Sequence, residues 1–229
     1  MSMRRRVIGL ALVSLIIVFS QDADAASDRT LQVAFVVSDG FTLIDLAGPW
    51  EAFNAANATR SNKSDPPRFR NFTVSSSLTP VRAGLTDTKV TPDYTFENAP
   101  HPDIVVVGAQ DWRKEIPGLS DWLRKESADQ VTIMSVCIGA GQLADAGLLD
   151  GRQATTHHSF LEAFAKGYPK TTWLSGKRFV KSSDAIWTAG GLTSGIDLAL
   201  HMVELRFGQQ AAQAAADYME YTSTAWRTR

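Results

Sequence analysis

The 229-residue sequence predicts an α/β fold in which helices cover both faces of a doubly wound, mostly parallel sheet. Short apolar, β-branched runs, such as LQVAFVV at 31–37, have the pattern of central parallel strands that are buried on both faces. These runs alternate with helical segments. An apolar content of 44% and a charged content of 21% are ordinary for a globular protein, and the length predicts one domain.

The first half of the chain predicts two strands, one helix and a region of turns. The strand at 31–37 ends at Ser38-Asp39-Gly40, and 45–55 is the helix that follows. The polar, proline-containing segment 60–68 is a predicted loop. A second strand is predicted at 69–76, and frequent Gly, Pro, Asp and Asn residues between 81 and 102 predict turns with a hairpin-like excursion.

Strands and helices alternate most clearly in the second half. The runs DIVVV at 103–107 and VTIMSV at 131–136 predict buried strands, and the amphipathic segment 119–128 predicts a helix between them. The remaining predicted elements are a helix at 139–146, a short strand at 153–156, a helix at 160–166, a small hairpin at 177–180 and 185–188, and helices at 194–207 and 209–218. In such a sheet, ligands bind at the carboxyl ends of the strands.

The first 25 residues predict a secretory signal peptide. Three arginines at 4–6 precede an apolar run of 13 residues at 7–19, and Ala23-Asp24-Ala25 supplies the small residues that a signal peptidase requires. An uncleaved anchor is the alternative, but a spanning helix needs about 20 apolar residues. We therefore expect a signal peptide at 1–25, a domain at 26–229 and a periplasmic or secreted protein with no membrane contact after cleavage.

The charge balance indicates no macromolecular partner. The chain has 23 Lys and Arg against 24 Asp and Glu, so no basic surplus indicates nucleic-acid binding. The sequence contains no P-loop, no GxGxxG after the first strand and no His/Cys/Asp set with zinc-site spacing. We therefore expect a small-molecule substrate, no cofactor and no metal.

The single cysteine, Cys137, lies where a buried strand gives way to a helix in SVCIGAGQLADAGLLDG. Gly139 and Gly141 follow, as a sharp turn requires, and the arrangement parallels the nucleophile elbow of hydrolases. We expect the helix dipole to lower the thiol pKa, and the backbone N–H groups of Ile138 and Gly139 to face charge that develops on a substrate. The alternative is a small buried cysteine that packs a helix start.

Two polar side chains are predicted at the same sheet edge as Cys137. Asp45 starts the first helix after the first strand, where it can exchange a proton with the thiol or cap the helix. His157 follows the strand at 153–156, where it can assist the thiol or simply be hydrogen-bonded, and His158 is expected at the surface. The Gly190-Gly191 turn suits a pocket wall or tight packing.

Four segments carry a resemblance to a known family. They are FTLIDLAGPWEAF, SVCIGAGQLADAGLLDGRQATTHH, TAGGLTSGIDLALHMVE and the ending DYMEY. Together they resemble the ThiJ/PfpI superfamily, whose class I glutamine amidotransferase-like domains have a flavodoxin-like fold. Within it the chain is most similar to the isocyanide hydratase branch and to the amidase-like domains of AraC-type regulators. The resemblance covers about 31–221.

The resemblance implies roles for the matching positions. Cys137 corresponds to the nucleophile, Asp45 to the hydratase branch's catalytic aspartate, and His157 to a histidine often found near the pocket. The residues expected to line the substrate pocket or bind an oxyanion are Ile138, Gly139, Gly108, Ala109, Gly191 and Leu192. The resemblance also implies a homodimer with the active site near its interface.

The sequence departs from the branch pattern at two places. Ile138 replaces the usual threonine after the nucleophile, and Gly108-Ala109-Gln110 replaces the usual Pro-Gly-Gly. No histidine follows the cysteine directly, which argues against a peptidase, and no helix-turn-helix region is expected. The leading hypothesis is a cysteine-dependent hydratase or hydrolase of a small electrophile, such as an isocyanide. The alternatives are a non-catalytic redox-sensing or ligand-binding envelope protein and a glyoxalase-like enzyme acting on reactive aldehydes.

Overall fold

A computed structural model describes residues 29–84, 86–111 and 114–227. The signal peptide predicted at 1–25 lies outside these ranges. Within them, no helix combines the length and the apolar character needed to cross a bilayer.

A seven-stranded sheet forms the centre of the fold, in the order β10-β11-β7-β6-β1-β2-β5. Its strands are β1 (Leu31–Val36), β2 (Phe69–Ser75), β5 (Tyr94–Thr95), β6 (Ile104–Val107), β7 (Thr132–Ser135), β10 (Phe179–Lys181) and β11 (Ile186–Ala189). All neighbouring pairs are parallel except β10 and β11, which form the predicted antiparallel hairpin. The carboxyl ends of the parallel strands therefore meet at one edge.

In the ranges that the structure describes, five helices cover the two faces of this sheet. They are α1 (Leu43–Ala58), α2 (Leu119–Ala128), α3 (Ala140–Asp145), α4 (Leu161–Gly167) and α5 (Ser194–Tyr218). Buried residues of α1 and α5 form a core with one sheet face, whereas α2, α3 and α4 pack on the other. Central strands such as β6 and β7 are buried throughout because both faces are covered. The predicted doubly wound, flavodoxin-like α/β fold is thus confirmed.

The last helical region bends where the sequence predicted two helices. Gly208 has φ +81 and ψ 163, outside the helical range, so the segment divides there. Glycine adopts this conformation without the steric cost that a Cβ atom imposes. The prediction of separate helices at 194–207 and 209–218 is therefore confirmed by the backbone geometry.

Among the described residues, four short strands pair outside the main sheet. An antiparallel pair joins β3 (Val81–Arg82) to β4 (Lys89–Val90). The strand predicted at 153–156 is shorter: β8 (Gln153–Ala154) pairs in parallel with β9 (Thr172–Trp173) rather than with the main sheet. The residues after β8 still reach the carboxyl edge, since the N–H of Thr155 donates to Thr188 Oγ1 at 2.9 Å.

Candidate functional site

Cys137 lies directly after β7 in a strained turn. Its φ is +59, which is uncommon for a non-glycine residue. A 3₁₀ turn at Cys137–Gly139 then leads into α3. Two hydrogen bonds hold the strained residue, because its N–H donates to Gly190 O at 2.9 Å and Thr156 Oγ1 donates to its carbonyl at 2.9 Å. The predicted elbow geometry is therefore present.

Gly139 is required at this elbow for steric reasons. A Cβ atom built there would lie 2.1 Å from Val107 O and 2.6 Å from Gly108 O, both in the neighbouring chain segment. Its N–H donates to Val136 O at 3.0 Å. The expectation that this N–H faces a substrate is therefore corrected, because the turn itself uses the donor.

The Cys137 thiol is buried and remains protonated at neutral pH. Only 7% of the residue is exposed. Burial, together with the nearby Asp45 charge, raises the thiol pKa to about 11, although backbone N–H groups of Ile138 and Leu192 donate to the sulfur and oppose this rise. The prediction of a lowered pKa was wrong. Desolvation exceeds the dipole effect, since only a 3₁₀ turn and the six-residue α3 follow the thiol.

Asp45 lies in the first turn of α1 and is completely buried. Its Oδ2 accepts the N–H of Ala109 at 2.9 Å, while its Oδ1 has no hydrogen-bond partner among the described residues. Burial raises its pKa to about 6. The side chain makes no cap hydrogen bond to the helix, whose N-cap is Thr42. The capping alternative is therefore excluded.

The turn after β6 is built around Asp45. A Cβ atom on Gly108 would lie 2.8 Å from Asp45 Cβ, so the glycine permits the close approach. Ala109 uses its N–H to bind Asp45, which corrects the expectation that this donor binds an oxyanion. The sequence did not indicate the contribution of Gln110. Its buried side chain accepts from the Ser38 N–H at 2.8 Å and donates to Val36 O at 3.1 Å, which fixes the turn.

His157 lies against the Gly191 backbone, and its hydrogen bond joins it to Ser159 rather than to the Cys137 thiol. Its Nδ1 accepts the Ser159 N–H at 3.2 Å, so the neutral ring carries its proton on Nε2. Burial and the neighbouring His158 lower its pKa. A Cβ atom on Gly191 would lie 2.4 Å from His157 Cδ2, so the bare glycine backbone accommodates the ring. His157 thus lies against the Gly190-Gly191 turn, and His158 is exposed as predicted.

An open groove of about 450 Å³ runs beside the elbow. Gly190, Gly191 and Leu192 line it, and so do His157 and His158. The Cys137 side chain does not line this groove, but the Leu192 N–H that donates to its sulfur belongs to the groove wall. Leu192 itself has φ +47 and is 42% exposed. The groove therefore adjoins the thiol through one strained turn.

One cluster of possible metal ligands lies at the opposite edge of the sheet. Ligand atoms of His101, Glu126 and Asp129 lie within 4.8 Å of one another. The ammonium group of Lys125 lies 3.2 Å from Glu126 Oε1 and 4.0 Å from Asp129 Oδ2. Since the chain supplies this cation itself, the cluster gives no reason to place a metal there.

Comparisons with characterised proteins agree with the fold and the residue pattern. Residues 31–205 match the DJ-1/PfpI family. The chain is 32% identical over 180 residues to the HTH-type transcriptional regulator CdhR of Pseudomonas aeruginosa, covering 78% of this chain but only 51% of the regulator. It is 29% identical over 195 residues to the isonitrile hydratase of Pseudomonas putida, covering 83% of this chain and 78% of that enzyme. The chain thus spans about half the regulator's length.

Solved structures extend the similarity in three dimensions. A ThiJ/PfpI family protein from Pseudomonas syringae superposes with a TM-score of 0.71 at 26% identity, over 93% of this chain and 83% of that one. DJ-1beta of Drosophila melanogaster shares the fold with a TM-score of 0.70 at 15% identity, over 85% of this chain and all of that one. The described elbow and the family match over 31–205 lead to one assignment. The chain belongs to the DJ-1/PfpI family.

Proposed function

We propose that the protein is a cysteine-dependent hydratase of a small electrophile, for which an isonitrile is the nearest precedent. One observation carries the proposal: the buried Asp45 carboxylate, with Oδ1 unpartnered among the described residues, acts electrostatically on the Cys137 thiol. A base with a free oxygen beside a protonated thiol is the arrangement that proton-coupled nucleophilic attack needs. Similarity to a relative named isonitrile hydratase supports the reaction class.

The proposed reaction conserves every atom of isonitrile and water. Cys137 Sγ attacks the isonitrile carbon as its proton passes to Asp45, and an S–C bond forms. Protonated Asp45 then returns the proton to that carbon, which gives a thioimidate. Water adds across the C=N bond, the C–S bond breaks, and the thiol recovers a proton. The product is an N-substituted formamide.

The ionisation order explains why attack and proton transfer are coupled in this proposal. Burial raises the pKa of Asp45 to about 6, whereas the pKa of the Cys137 thiol is raised to about 11. A stable thiolate therefore does not accumulate in the free protein at neutral pH. The N–H groups of Ile138 and Leu192, which donate to the sulfur, stabilise the negative charge that develops as the proton leaves.

The experiment measures formamide production from an isonitrile with purified protein. We expect Cys137→Ala to abolish turnover and Asp45→Asn to lower it by about 10²-fold or more, the usual range for loss of a general base. Lys166→Gln is the control, because Lys166 is an exposed residue of α4 paired with Glu162. Turnover retained in Cys137→Ala would contradict the proposal.

A ligand-binding role without turnover is the second candidate. Two observations favour it: the relatives that carry regulator names, and a groove that the thiol side chain does not itself line. Its redox-sensing form has less support, since sensor thiols are exposed and have low pKa values. In this case Cys137→Ala would bind the same small molecule as the native protein, and neither would convert it.

We also propose that the protein forms a homodimer. Leu43 and Ile44, in the first turn of α1 beside Asp45, are 47% and 38% exposed, and an apolar pair there suits a contact between two copies. Light scattering should give twice the protomer mass for the native protein and a lower mass after Leu43→Asp with Ile44→Asp.

We propose export as well. N-terminal sequencing of protein from the producing cell should begin at residue 26 if the signal peptide is cleaved as predicted.

A further inference from the structure

The groove of about 450 Å³ lies beside the elbow, and the turn at Leu192 separates it from the Cys137 thiol. Its wall includes Gly190, whose carbonyl accepts the Cys137 N–H at 2.9 Å. It also includes Leu192, whose N–H donates to the sulfur, and Thr156, whose hydroxyl donates to the Cys137 carbonyl. A molecule whose reactive carbon reaches the thiol past Leu192 has this groove next to it for the rest of its structure.

The titratable residues that line the groove are all basic. They are His157, His158, Lys177 and Arg178, and no Asp or Glu is among the lining residues. A concave site with one sign of charge concentrates ligands of the opposite sign. The composition of the wall therefore favours an anionic ligand over a neutral one.

Arg178 and Lys177 contribute differently to this charge. The Arg178 guanidinium donates from Nε to Oδ2 of the buried Asp197 at 2.6 Å and from Nη2 to Thr193 Oγ1 at 3.0 Å. Its charge is thus largely balanced and its position is fixed. Lys177, also a lining residue, forms no ion pair with any residue in the described ranges, so its charge is not balanced by a neighbouring carboxylate.

Neutral donors complete the wall. The Nε2–H of His157 lies on the side of the ring that faces Gly191, since Nδ1 accepts the Ser159 N–H. Ser194, whose hydroxyl oxygen lies 3.2 Å from the Cβ position of Gly190, is also a lining residue. A carboxylate accepts several such donors at once, and charge-assisted hydrogen bonds are stronger than neutral ones.

We infer that the groove binds a carboxylate on the substrate, with Lys177 as its main cationic partner, while the substrate's electrophilic carbon lies at Cys137. The substrate class is then a small electrophile that carries a carboxylate, rather than a neutral one. This inference rests on the proposed function, because it assumes that Cys137 is the nucleophile.

The test compares two alkylating reagents of similar size. Iodoacetate and iodoacetamide both form an S–C bond to the thiol with loss of iodide and of the thiol proton, and they differ mainly in charge. Their rates at Cys137 are measured by mass spectrometry at pH 9, and the iodoacetate-to-iodoacetamide ratio is compared with that of 2-mercaptoethanol. We expect the protein's ratio to exceed the reference about three- to tenfold.

Substitutions then locate the source of the preference. Lys177→Gln should return the ratio to the reference value and Lys177→Glu should lower it below that value, whereas Lys166→Gln should leave it unchanged. A native ratio equal to the reference would overturn the inference, as would a preference that persists in Lys177→Gln or a thiol that neither reagent modifies. Because alkylation needs no turnover, a charge preference without isonitrile hydration would sink the proposed function alone.

Discussion

The backbone N–H of Ala109 donates to Oδ2 of Asp45 at 2.9 Å and leaves Oδ1 without a partner among the described residues. One hydrogen bond does not offset complete burial, so the Asp45 pKa is raised to about 6. The carboxylate is nevertheless ionised at neutral pH, where the Cys137 thiol is not. The raised pKa of Asp45 and its difference from the pKa of the thiol lead to three predictions.

The pH profile of turnover should report the ionisation of Asp45. Since the base must be ionised, kcat/KM should rise with a midpoint near pH 6 and then stay level to about pH 9, because the thiol pKa is about 11. Initial rates of isonitrile hydration between pH 5 and 9.5 provide the measurement. A rate that kept climbing tenfold per pH unit above pH 8 would instead indicate a pre-formed thiolate.

Replacing Asp45 should have opposite effects on alkylation and on turnover. The Asp45 charge raises the Cys137 pKa, so Asp45→Asn should lower it and speed modification by iodoacetamide several-fold at pH 8.5. The same substitution should slow isonitrile hydration, because the base is lost. An alkylation rate unchanged by Asp45→Asn would show that the two groups do not interact.

Asp45→Asn should also stabilise the protein at neutral pH. The folded-state pKa is raised from 3.8 to about 6, so the folded state binds more protons between these values and stability falls as pH rises through that window. The resulting loss of folding stability, about 3 kcal/mol, is complete above pH 6 and absent below pH 3.8. Urea unfolding at pH 7.5 and pH 4.5 should show a gain for Asp45→Asn that shrinks at the lower pH. An equal gain at both values would contradict this origin.

Gly139→Ala should severely destabilise the fold. The added Cβ atom would lie 2.1 Å from the backbone oxygen of Val107, which cannot move without shifting β6. We expect a loss above about 4 kcal/mol or failure to fold. Gly167→Ala is the matched control, because nothing lies within 4 Å of its Cβ position and its φ is not positive. Chemical denaturation of both variants measures their free energies of unfolding. A Gly139→Ala variant as stable as Gly167→Ala would refute the prediction.

Gly191 and His157 should be energetically coupled. In Gly191→Ala the new Cβ atom meets His157 Cδ2 at 2.4 Å, so the ring must rotate away and the groove changes shape. We expect a loss of about 1–3 kcal/mol, most of which disappears when His157→Ala is also present. A double-mutant cycle from unfolding curves measures this coupling. Strictly additive effects of the two substitutions on the free energy of unfolding would contradict the predicted coupling.

Local sequence patterns were enough to predict the fold class, the elbow, and the positions of Cys137 and Asp45 at it. Short apolar, β-branched runs predicted the buried strands, and Gly139 and Gly141 after Cys137 predicted a sharp turn. The strand predicted at 153–156 has only two residues in the structure, and these pair with β9 rather than with the main sheet. Strand pairing depends on long-range contacts that a local pattern does not contain.

The electrostatics of the site could not be predicted from local sequence patterns. The sequence places Asp45 and Cys137 at one sheet edge, but it does not show that both are buried, so the thiol pKa was predicted in the wrong direction. It also does not show that the N–H groups of Gly139 and Ala109 are already used within the fold. Burial and hydrogen-bond partners come from segments distant in the chain, and the free energy of a charge depends on that whole environment.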